Sequence, residues 1–144
     1  MAALLVLDVT EDKMHLPGAQ QVVPVVNLLT KRYGYRFAMT MFASGSTGVP
    51  AKGLEQSPDA LVLPRGADHS WLNPLLQAKG VSTLYLCGIP FDGLVAELAA
   101  EALRIGVAVF VVQDGVVQSS KVAADKLRED LLRCGVSFVD SSRL

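Results

Sequence analysis

The chain has 144 residues, of which 51% are hydrophobic and 19% charged, and its formal net charge at pH 7 is −1. This length is enough for a substantial buried core, so we expect residues 1–144 to fold as a single domain. Lysine and arginine form no cluster, which argues against binding to the phosphates of a nucleic acid. No apolar run approaches the roughly eighteen residues that a membrane-spanning helix needs.

Cysteine usage bears on the compartment. Cys87 and Cys134 are the only cysteines, and they lie far apart in the chain. This usage is typical of a reduced intracellular protein, in the cytoplasm or in an organellar matrix. The first predicted strand begins at about Ala3, so we expect no signal or transit peptide ahead of it.

The chain opens with a predicted strand followed by a predicted helix. An apolar run at residues 2–9 predicts a buried strand that carries Asp8 near its end. Apolar residues at helical spacing predict a helix at residues 18–29. Its regular part is expected to start at about Val23, because Pro24 is best accommodated in a first turn.

The middle of the chain contains a long predicted loop. Residues 35–41 predict a second strand, and residues 42–59 are rich in serine, glycine and proline. A loop of this length is typical either of a functional lid or of a mobile connection. A short third strand is predicted at residues 60–63 and a helix at residues 70–79, capped by its first residue, a serine.

The clearest pattern is a strand-helix-strand unit over residues 82–115. One apolar run ends at Gly88, apolar residues recur at helical spacing over residues 92–105, and a second apolar run follows at residues 107–112. The strands of such a unit are parallel, joined by a right-handed crossover and covered on both faces. The alanines of the helix suit close packing, either on a partner or on the sheet.

The last predicted elements are a helix at residues 121–134 and a strand at residues 136–139. Helical spacing places five residues of this helix against the sheet: Val122, Ala123, Leu127, Leu131 and Leu132. The whole pattern predicts an α/β, three-layer Rossmann-like domain with about six mostly parallel strands and helices on both faces. Ligands of such domains bind beyond the carboxyl ends of the strands, so chemistry is expected at the turn of residues 87–94.

Two charged residues that follow predicted strands are candidate catalytic residues. Asp8 is expected either to face the ligand crevice or to cap the next turn through backbone N–H groups. Arg65 is either a partner of Asp8, a ligand for an anion, or a solvated surface residue. The residues alone leave these alternatives open.

Other catalytic motifs are weak or absent from the sequence. The only histidines, His15 and His69, have no third ligand at useful spacing, so we expect no metal site and no cofactor. Neither a glycine-rich phosphate loop nor a serine nucleophile elbow is found. Cys87 lies in an apolar run without a neighbouring base, and we interpret it as a core residue rather than a nucleophile.

The turn after the fourth predicted strand leads directly into a helix. The first N–H groups of such a helix can bind an anion or stabilise an oxyanion. The alternative is an ordinary turn in which Asp92 caps the helix. Five residues are candidates for the ligand pocket or the oxyanion site: Ile89, Pro90, Phe91, Asp92 and Leu94.

At these residues the chain resembles the isochorismatase-like hydrolases, the superfamily that includes the nicotinamidases. The opening ALLVLDVTED resembles the first strand of that family, and CGIPFDGLV followed by AELAAEALRIG resembles its fourth strand and next helix. The resemblance spans nearly the whole chain and implies one isochorismatase-like domain with shortened loops. It also implies a cis peptide bond between Ile89 and Pro90.

The catalytic set that the resemblance implies is incomplete. Active nicotinamidases use an aspartate, a lysine and a cysteine nucleophile, and the resemblance places Asp8, Arg65 and Leu94 at those positions. Asp12 matches a second recurrent acid. The family's metal-binding run, Asp-Trp-His-Pro with a further histidine, is absent from the sequence.

These differences predict a degenerate domain without amidase activity, acting as a binding or structural subunit of a larger assembly. The expected partner is another protein or a second copy of the chain, and a small anionic or amide ligand fits the remaining crevice. The alternative is a cysteine-independent hydrolase, isochorismatase- or nicotinamidase-like, in which Asp8 is the general acid/base and Arg65 orients an anionic substrate. Use of Cys87 as a displaced nucleophile is a third hypothesis.

Overall fold

The computed structural model describes residues 1–32, 37–44, 49–56, 61–64 and 69–144. The strands are β1 Ala2–Leu7, β2 Phe37–Ser44, β3 Leu61–Pro64, β4 Thr83–Gly88, β5 Ala108–Val116 and β6 Ser137–Val139. The α-helices are α1 Ala19–Arg32, α2 Leu72–Ala78, α3 Ala96–Ile105 and α4 Lys121–Cys134. A π-helical turn, Phe91–Val95, joins β4 to α3, and 3₁₀ turns lie at Glu11–Lys13 and Ser141–Arg143. No helix within these ranges is both long and apolar enough to cross a membrane.

The six described strands form one parallel sheet in the order β3-β2-β1-β4-β5-β6. From β1 the chain winds outwards through β2 to β3, and from β4 it winds outwards in the opposite direction to β6. The winding therefore reverses between β1 and β4, and ligands of open α/β sheets bind beyond the carboxyl ends of the strands at such a switch point. The predicted α/β class with a parallel sheet of about six strands is confirmed.

Alternate residues of the central strand β1 enter two apolar cores on opposite faces of the sheet. On one face, Leu5 and Leu7 pack with residues of α2, α3 and α4. On the other face, Leu4 and Val6 pack with residues of α1. Burial of each such side chain contributes about 1.5–3 kcal/mol to stability. The two cores pack β1 between two layers of helices. The position of Asp8, which directly follows β1, is therefore fixed by packing on both faces of the sheet.

The start of α1 differs from the prediction. The helix begins at Ala19, not at Val23, and keeps Pro24 in its interior. Ala19 and Val22 are buried against the sheet. We infer that this packing holds the first turn in helical conformation although Pro24 supplies no N–H to the helix.

The bounds predicted for α4 are confirmed, but three of its predicted inward residues face outwards. Ser120 caps the helix, with its Oγ accepting a backbone N–H at 3.4 Å. Val122 is 83% exposed, Leu132 is 52% exposed and Ala123 is exposed, whereas Leu131 is buried. Successive residues of a helix point about 100° apart, so the face that buries Leu131 turns Leu132 away from the sheet.

Candidate functional site

Asp8 lies at the switch point of the sheet, immediately after β1. The residue is 5% exposed, and its φ of 49° lies in the left-handed region that few residues other than glycine adopt. Its backbone N–H donates to the carbonyl oxygen of Ala43 on β2 at 2.9 Å. Asp8 is therefore held against the sheet edge by its backbone, as a buried acid at the place where ligands of this fold class bind.

The carboxyl ends of β1 and β4 touch, which brings Asp8 close to the turn after β4. Leu7 pairs with Gly88 in the sheet, and the N–H of Ile89 donates to the carbonyl oxygen of Leu7 at 3.0 Å. Gly88 has a φ of 139°, and a Cβ atom added to it would lie 2.1 Å from that oxygen. Only glycine permits this approach of the two strands.

The turn after β4 uses most of its N–H groups within the protein. The peptide bond between Ile89 and Pro90 is cis, as the resemblance implies. The N–H of Ile89 is bonded within the sheet, that of Phe91 donates to a carbonyl oxygen after β5 at 2.7 Å, and Pro90 has none. The oxyanion prediction therefore depends on the N–H groups of the two remaining candidates, Asp92 and Leu94.

The Asp92 carboxylate bonds to the start of α4. It accepts the N–H and the hydroxyl of Ser119, both at 2.7 Å, and the N–H of Ser120 at 3.0 Å. Burial raises the pKa of the Asp92 carboxyl, but these hydrogen bonds outweigh burial and the pKa is lowered. The alternative in which Asp92 caps the helix after β4 is wrong, because its side chain joins the Phe91–Val95 turn to α4.

Leu94, at the position where the resemblance places a nucleophile, is part of an apolar core. It is 6% exposed, and Phe91 in the same turn is 4% exposed. Both belong to the core that contains Leu7 of β1 and Leu98 of α3. An alkyl side chain has no lone pair with which to attack a carbonyl carbon, so this position contributes packing.

The resemblance also matches two further charged residues, Arg65 and Asp12, to positions of the family. Arg65 lies outside the described residues, so its pairing with Asp8 or with an anion stays a prediction. Asp12 has 64% of its side chain exposed and accepts a hydrogen bond from the hydroxyl of Thr10. That hydrogen bond is the main cause of the lowered pKa of Asp12, which acts as a surface residue of the 3₁₀ turn.

Cys87 is enclosed by the protein. Its side chain is fully buried, and its Sγ lies 3.9 Å from the carbonyl oxygen of Leu5. Burial, with a smaller contribution from the negative charge of Asp114, raises the pKa of the Cys87 thiol to about 12. The thiol therefore stays protonated near neutral pH, and this agrees with a core role.

The described ranges contain no group of three histidine, cysteine or acidic side chains placed to hold a metal ion. His15 Nδ1 lies 2.8 Å from the carbonyl oxygen of Asp12, and His69 Nε2 lies 3.6 Å from a carboxylate oxygen of Glu97. A catalytic zinc needs three protein ligands. The donor set of the described residues does not fit one.

Sequence reasoning missed two polar features. At the start of α2, whose cap position is Trp71 rather than the predicted Ser70, three buried polar atoms have no hydrogen-bond partner among the described residues: His69 Nδ1, Trp71 Nε1 and Asn73 Oδ1. The second feature is a polar cleft beside the end of β5. Its signal was in the sequence, because a Gln-Asp pair follows the apolar run at residues 107–112.

No protein-family model and no curated protein sequence matches this chain. Solved structures do match it. An isochorismatase family protein from Desulfovibrio vulgaris superposes with a TM-score of 0.83 at 21% identity, covering 98% of this chain and 94% of that one. This chain has the isochorismatase-like fold.

Two further solved structures support the isochorismatase-like fold. The pyrazinamidase of Pyrococcus horikoshii, in complex with zinc, has a TM-score of 0.82 at 18% identity and covers 96% of this chain and 98% of that one. The ycaC gene product of Escherichia coli, an octameric hydrolase of unknown specificity, has a TM-score of 0.82 at 21% identity and covers 96% and 74%. The resemblance seen in the sequence is thus confirmed for the fold, and identities this low leave the reaction open.

Proposed function

We propose that this chain is an isochorismatase-like domain without amidase activity, which acts by binding a small ligand or as a subunit of an assembly. The observation that carries the proposal is Leu94, buried in the core at the position where the resemblance places the attacking cysteine. Without a nucleophile no acyl intermediate forms, and loss of a nucleophile alone removes most of the rate enhancement of a covalent mechanism.

Cys87 does not compensate for this loss. A buried thiol with a pKa of about 12 carries almost no thiolate at neutral pH. Its packing against the carbonyl of Leu5 also leaves no room for a substrate beside the sulfur. The hypothesis of a displaced cysteine nucleophile is therefore the weakest of the three.

Surface features of α3 and α4 support a role in assembly. Val122 and Leu132 of α4 are largely exposed apolar side chains. Between the two helices lies a groove of about 500 Å³ whose lining includes Ala96, Ala100 and Leu131. The octameric hydrolase of Escherichia coli shares this fold, so a homo-oligomer is the form of assembly that we propose first.

A hydrolase that works without cysteine is the second candidate function. It is favoured by Asp8, a buried acid with a left-handed backbone at the switch point of the sheet. Residues held in sparsely populated backbone regions cluster at functional sites. In this alternative Asp8 transfers the proton and Arg65 orients an anionic substrate.

Activity assays separate the two proposals. The purified chain would be tested for ammonia release from nicotinamide and pyrazinamide and for pyruvate release from isochorismate, with Asp8→Asn and the surface variant Asp130→Asn in parallel. We expect no release above that of Asp8→Asn with any substrate. Turnover that Asp8→Asn abolishes and Asp130→Asn retains would overturn the non-enzymatic proposal and support the hydrolase.

The assembly role needs its own measurement. Sedimentation velocity over a range of protein concentrations would give the oligomeric state of the chain and of Leu132→Lys, with Leu28→Lys on α1 as the matched variant. We expect an oligomer that Leu132→Lys dissociates and Leu28→Lys leaves intact. A monomer at all concentrations would leave ligand binding as the remaining form of the proposal.

A further inference from the structure

A cleft beside the carboxyl end of β5 has the features of a second ligand site. It has a volume of about 400 Å³, within the range of small-molecule pockets. Its walls come from the start of α1, from Phe91 in the turn after β4, from the end of β5 with the residues after it, and from α4. Neither Asp8 nor Leu94 lines it, so this site does not depend on the function proposed above.

Among the described residues that line the cleft, Arg128 of α4 is the only cation. Its Nη2 donates to Oε1 of Gln113 at 2.6 Å, and its guanidinium carbon lies 4.3 Å from the centre of the Phe138 ring. Phe138 in turn packs edge-on against Phe91, with ring centres 5.8 Å apart. The guanidinium is therefore positioned by a neutral amide and by the face of an aromatic ring.

Arg128 forms no salt bridge with a carboxylate of the described residues. Asp130, on the same helix, pairs with Arg133. A guanidinium has five N–H donors arranged in a planar fork. Arg128 thus presents a held positive charge to the cleft, in a geometry suited to the two oxygens of a carboxylate.

The acids of the cleft restrict which anion fits. Asp114 and Asp125 both line it, and Asp114 is oriented by the N–H of Ser141 at 2.9 Å and by the Ser141 hydroxyl. Asp114 and Asp125 outnumber Arg128 in the described lining, so they repel a doubly charged anion such as phosphate more strongly than a monocarboxylate. They attract an N–H donor, so the lining favours a ligand that carries both a single negative charge and such a donor.

We propose that this cleft binds a small monocarboxylate that also carries an N–H group. Its carboxylate bonds to the guanidinium of Arg128, and its N–H group faces Asp114 and Asp125. Amino acids and N-acylated amino acids belong to this class. The polar side chains Gln21 and Gln118 supply further donors and acceptors at the rim.

Titration of the ¹⁵N-labelled full chain, followed by NMR, tests the proposal with four probes. N-acetylglycine has both groups, acetate lacks the N–H, N-acetylglycinamide lacks the carboxylate, and inorganic phosphate carries the wrong charge. We expect N-acetylglycine to give saturable shifts at the Arg128 Nε–H and at the Gln113 side-chain amide. Acetate should bind several-fold more weakly, and the other two probes should give no saturable shift at these groups.

Three variants assign the binding to Arg128. We expect Arg128→Gln to lose the N-acetylglycine shifts at Gln113, and Arg133→Gln, an equal charge change on the exposed end of the same helix, to keep them. Arg128→Lys keeps the charge but loses the fork, and should weaken binding about tenfold. If Arg128→Gln does not fold, the N-acetylglycine affinities of Arg128→Lys and Arg133→Gln are compared instead, and only Arg128→Lys should bind more weakly than the wild-type chain.

Three results would overturn the proposal. Absence of any saturable N-acetylglycine shift in the wild-type chain rejects the site. Unchanged binding by Arg128→Lys and a folded Arg128→Gln rejects the role of the guanidinium. Binding of phosphate as tight as that of N-acetylglycine rejects the ligand class.

Discussion

The turn that follows β4 and the segment that follows β5 occupy equivalent places in the fold, yet they are built from different interactions. Both lie at the carboxyl end of a parallel strand and lead towards a helix. The first is closed by backbone contact of Gly88 with β1 and by burial of Leu94. The second borders a cleft whose lining includes polar and charged side chains, among them Gln113 and Arg128, beside apolar ones such as Phe91.

The switch point of the sheet lies between β1 and β4, whereas the polar side chains of the cleft lie at the end of the neighbouring strand β5. At the β4 turn each buried apolar side chain stabilises the fold in proportion to the surface area that it buries, and this effect does not depend on the direction of the contact. Beside β5, hydrogen bonds and ring stacking hold side chains in specific directions and leave donors exposed to solvent. Directional groups are what a ligand recognises, so the comparison favours the β5 cleft as a binding surface.

The sharpest test of the closed β4 turn is Gly88→Ala. The added Cβ would lie 2.1 Å from the carbonyl oxygen of Leu7, and backbone atoms of two paired strands cannot move apart without loss of the sheet. We expect the free energy of unfolding in urea to fall by about 4 kcal/mol or more.

The matched control for Gly88→Ala is Gly80→Ala. Gly80 also has a positive φ, 64°, but a Cβ there meets no atom of the described residues within 4 Å. Only the left-handed backbone is then penalised, by about 1–2 kcal/mol. Equal effects of the two variants would contradict the claim that close contact of β1 and β4 requires glycine.

Leu94→Ala measures how much packing is contributed by the position at which the resemblance places a nucleophile. Leu94 is 6% exposed within an apolar core, so we expect a loss of about 2–4 kcal/mol in the free energy of unfolding. Leu28→Ala, at a leucine of α1 that is 36% exposed, should cost no more than about 1 kcal/mol. A neutral Leu94→Ala would mean that this turn is open rather than packed.

Asp92→Asn tests the hydrogen bonds that join the turn after β4 to the segment between β5 and α4. The Asp92 carboxylate accepts three hydrogen bonds from Ser119 and Ser120, so we expect a loss of about 1–2 kcal/mol at neutral pH. Urea unfolding at several pH values would measure this loss, with Asp130→Asn on the surface of α4 as the control.

The pH dependence of this loss has a defined sign. The pKa of Asp92 is lower in the folded chain than its ordinary value of 3.8. Its contribution is therefore fully present above that value and disappears as the pH falls through the lowered pKa. The difference between wild type and Asp92→Asn should shrink below about pH 4. A difference that does not change with pH would show that the carboxylate charge has no part in the link.

Thiol labelling is the mildest test, because it perturbs neither region. Cys87 lies between them, with its Cβ 3.0 Å from the position that a Cβ on Gly115 would take, and its thiol pKa is raised to about 12. We expect a disulfide reagent at about pH 8 to modify the exposed Cys134 in the native chain and to reach Cys87 only after unfolding. Cys134→Ser should then show no fast reaction, and rapid labelling of that variant would contradict the burial of Cys87.

Most of the fold was predictable, and the candidate site only in part. The two strand ends that form the switch point were recognised because an acid and a Gly-Ile-Pro turn interrupt apolar runs at Asp8 and Gly88. The cleft beside β5 was not, although Gln113 and Asp114 follow an apolar run in the same way. Arg128 lies 15 residues from Gln113 along the chain, and no local pattern indicates that the two side chains meet.

Local chemistry in the sequence by itself determined the limits of several elements. Ser120 and Gly135 set the ends of α4, and Gly106 ends α3, because capping and a left-handed φ depend on the residue at that position. Only the tertiary structure decided that Asp92 bonds to Ser119 and that Leu131 rather than Leu132 is buried. These outcomes depend on which surfaces meet across the sheet, and contacts between distant residues leave no periodic trace in the chain.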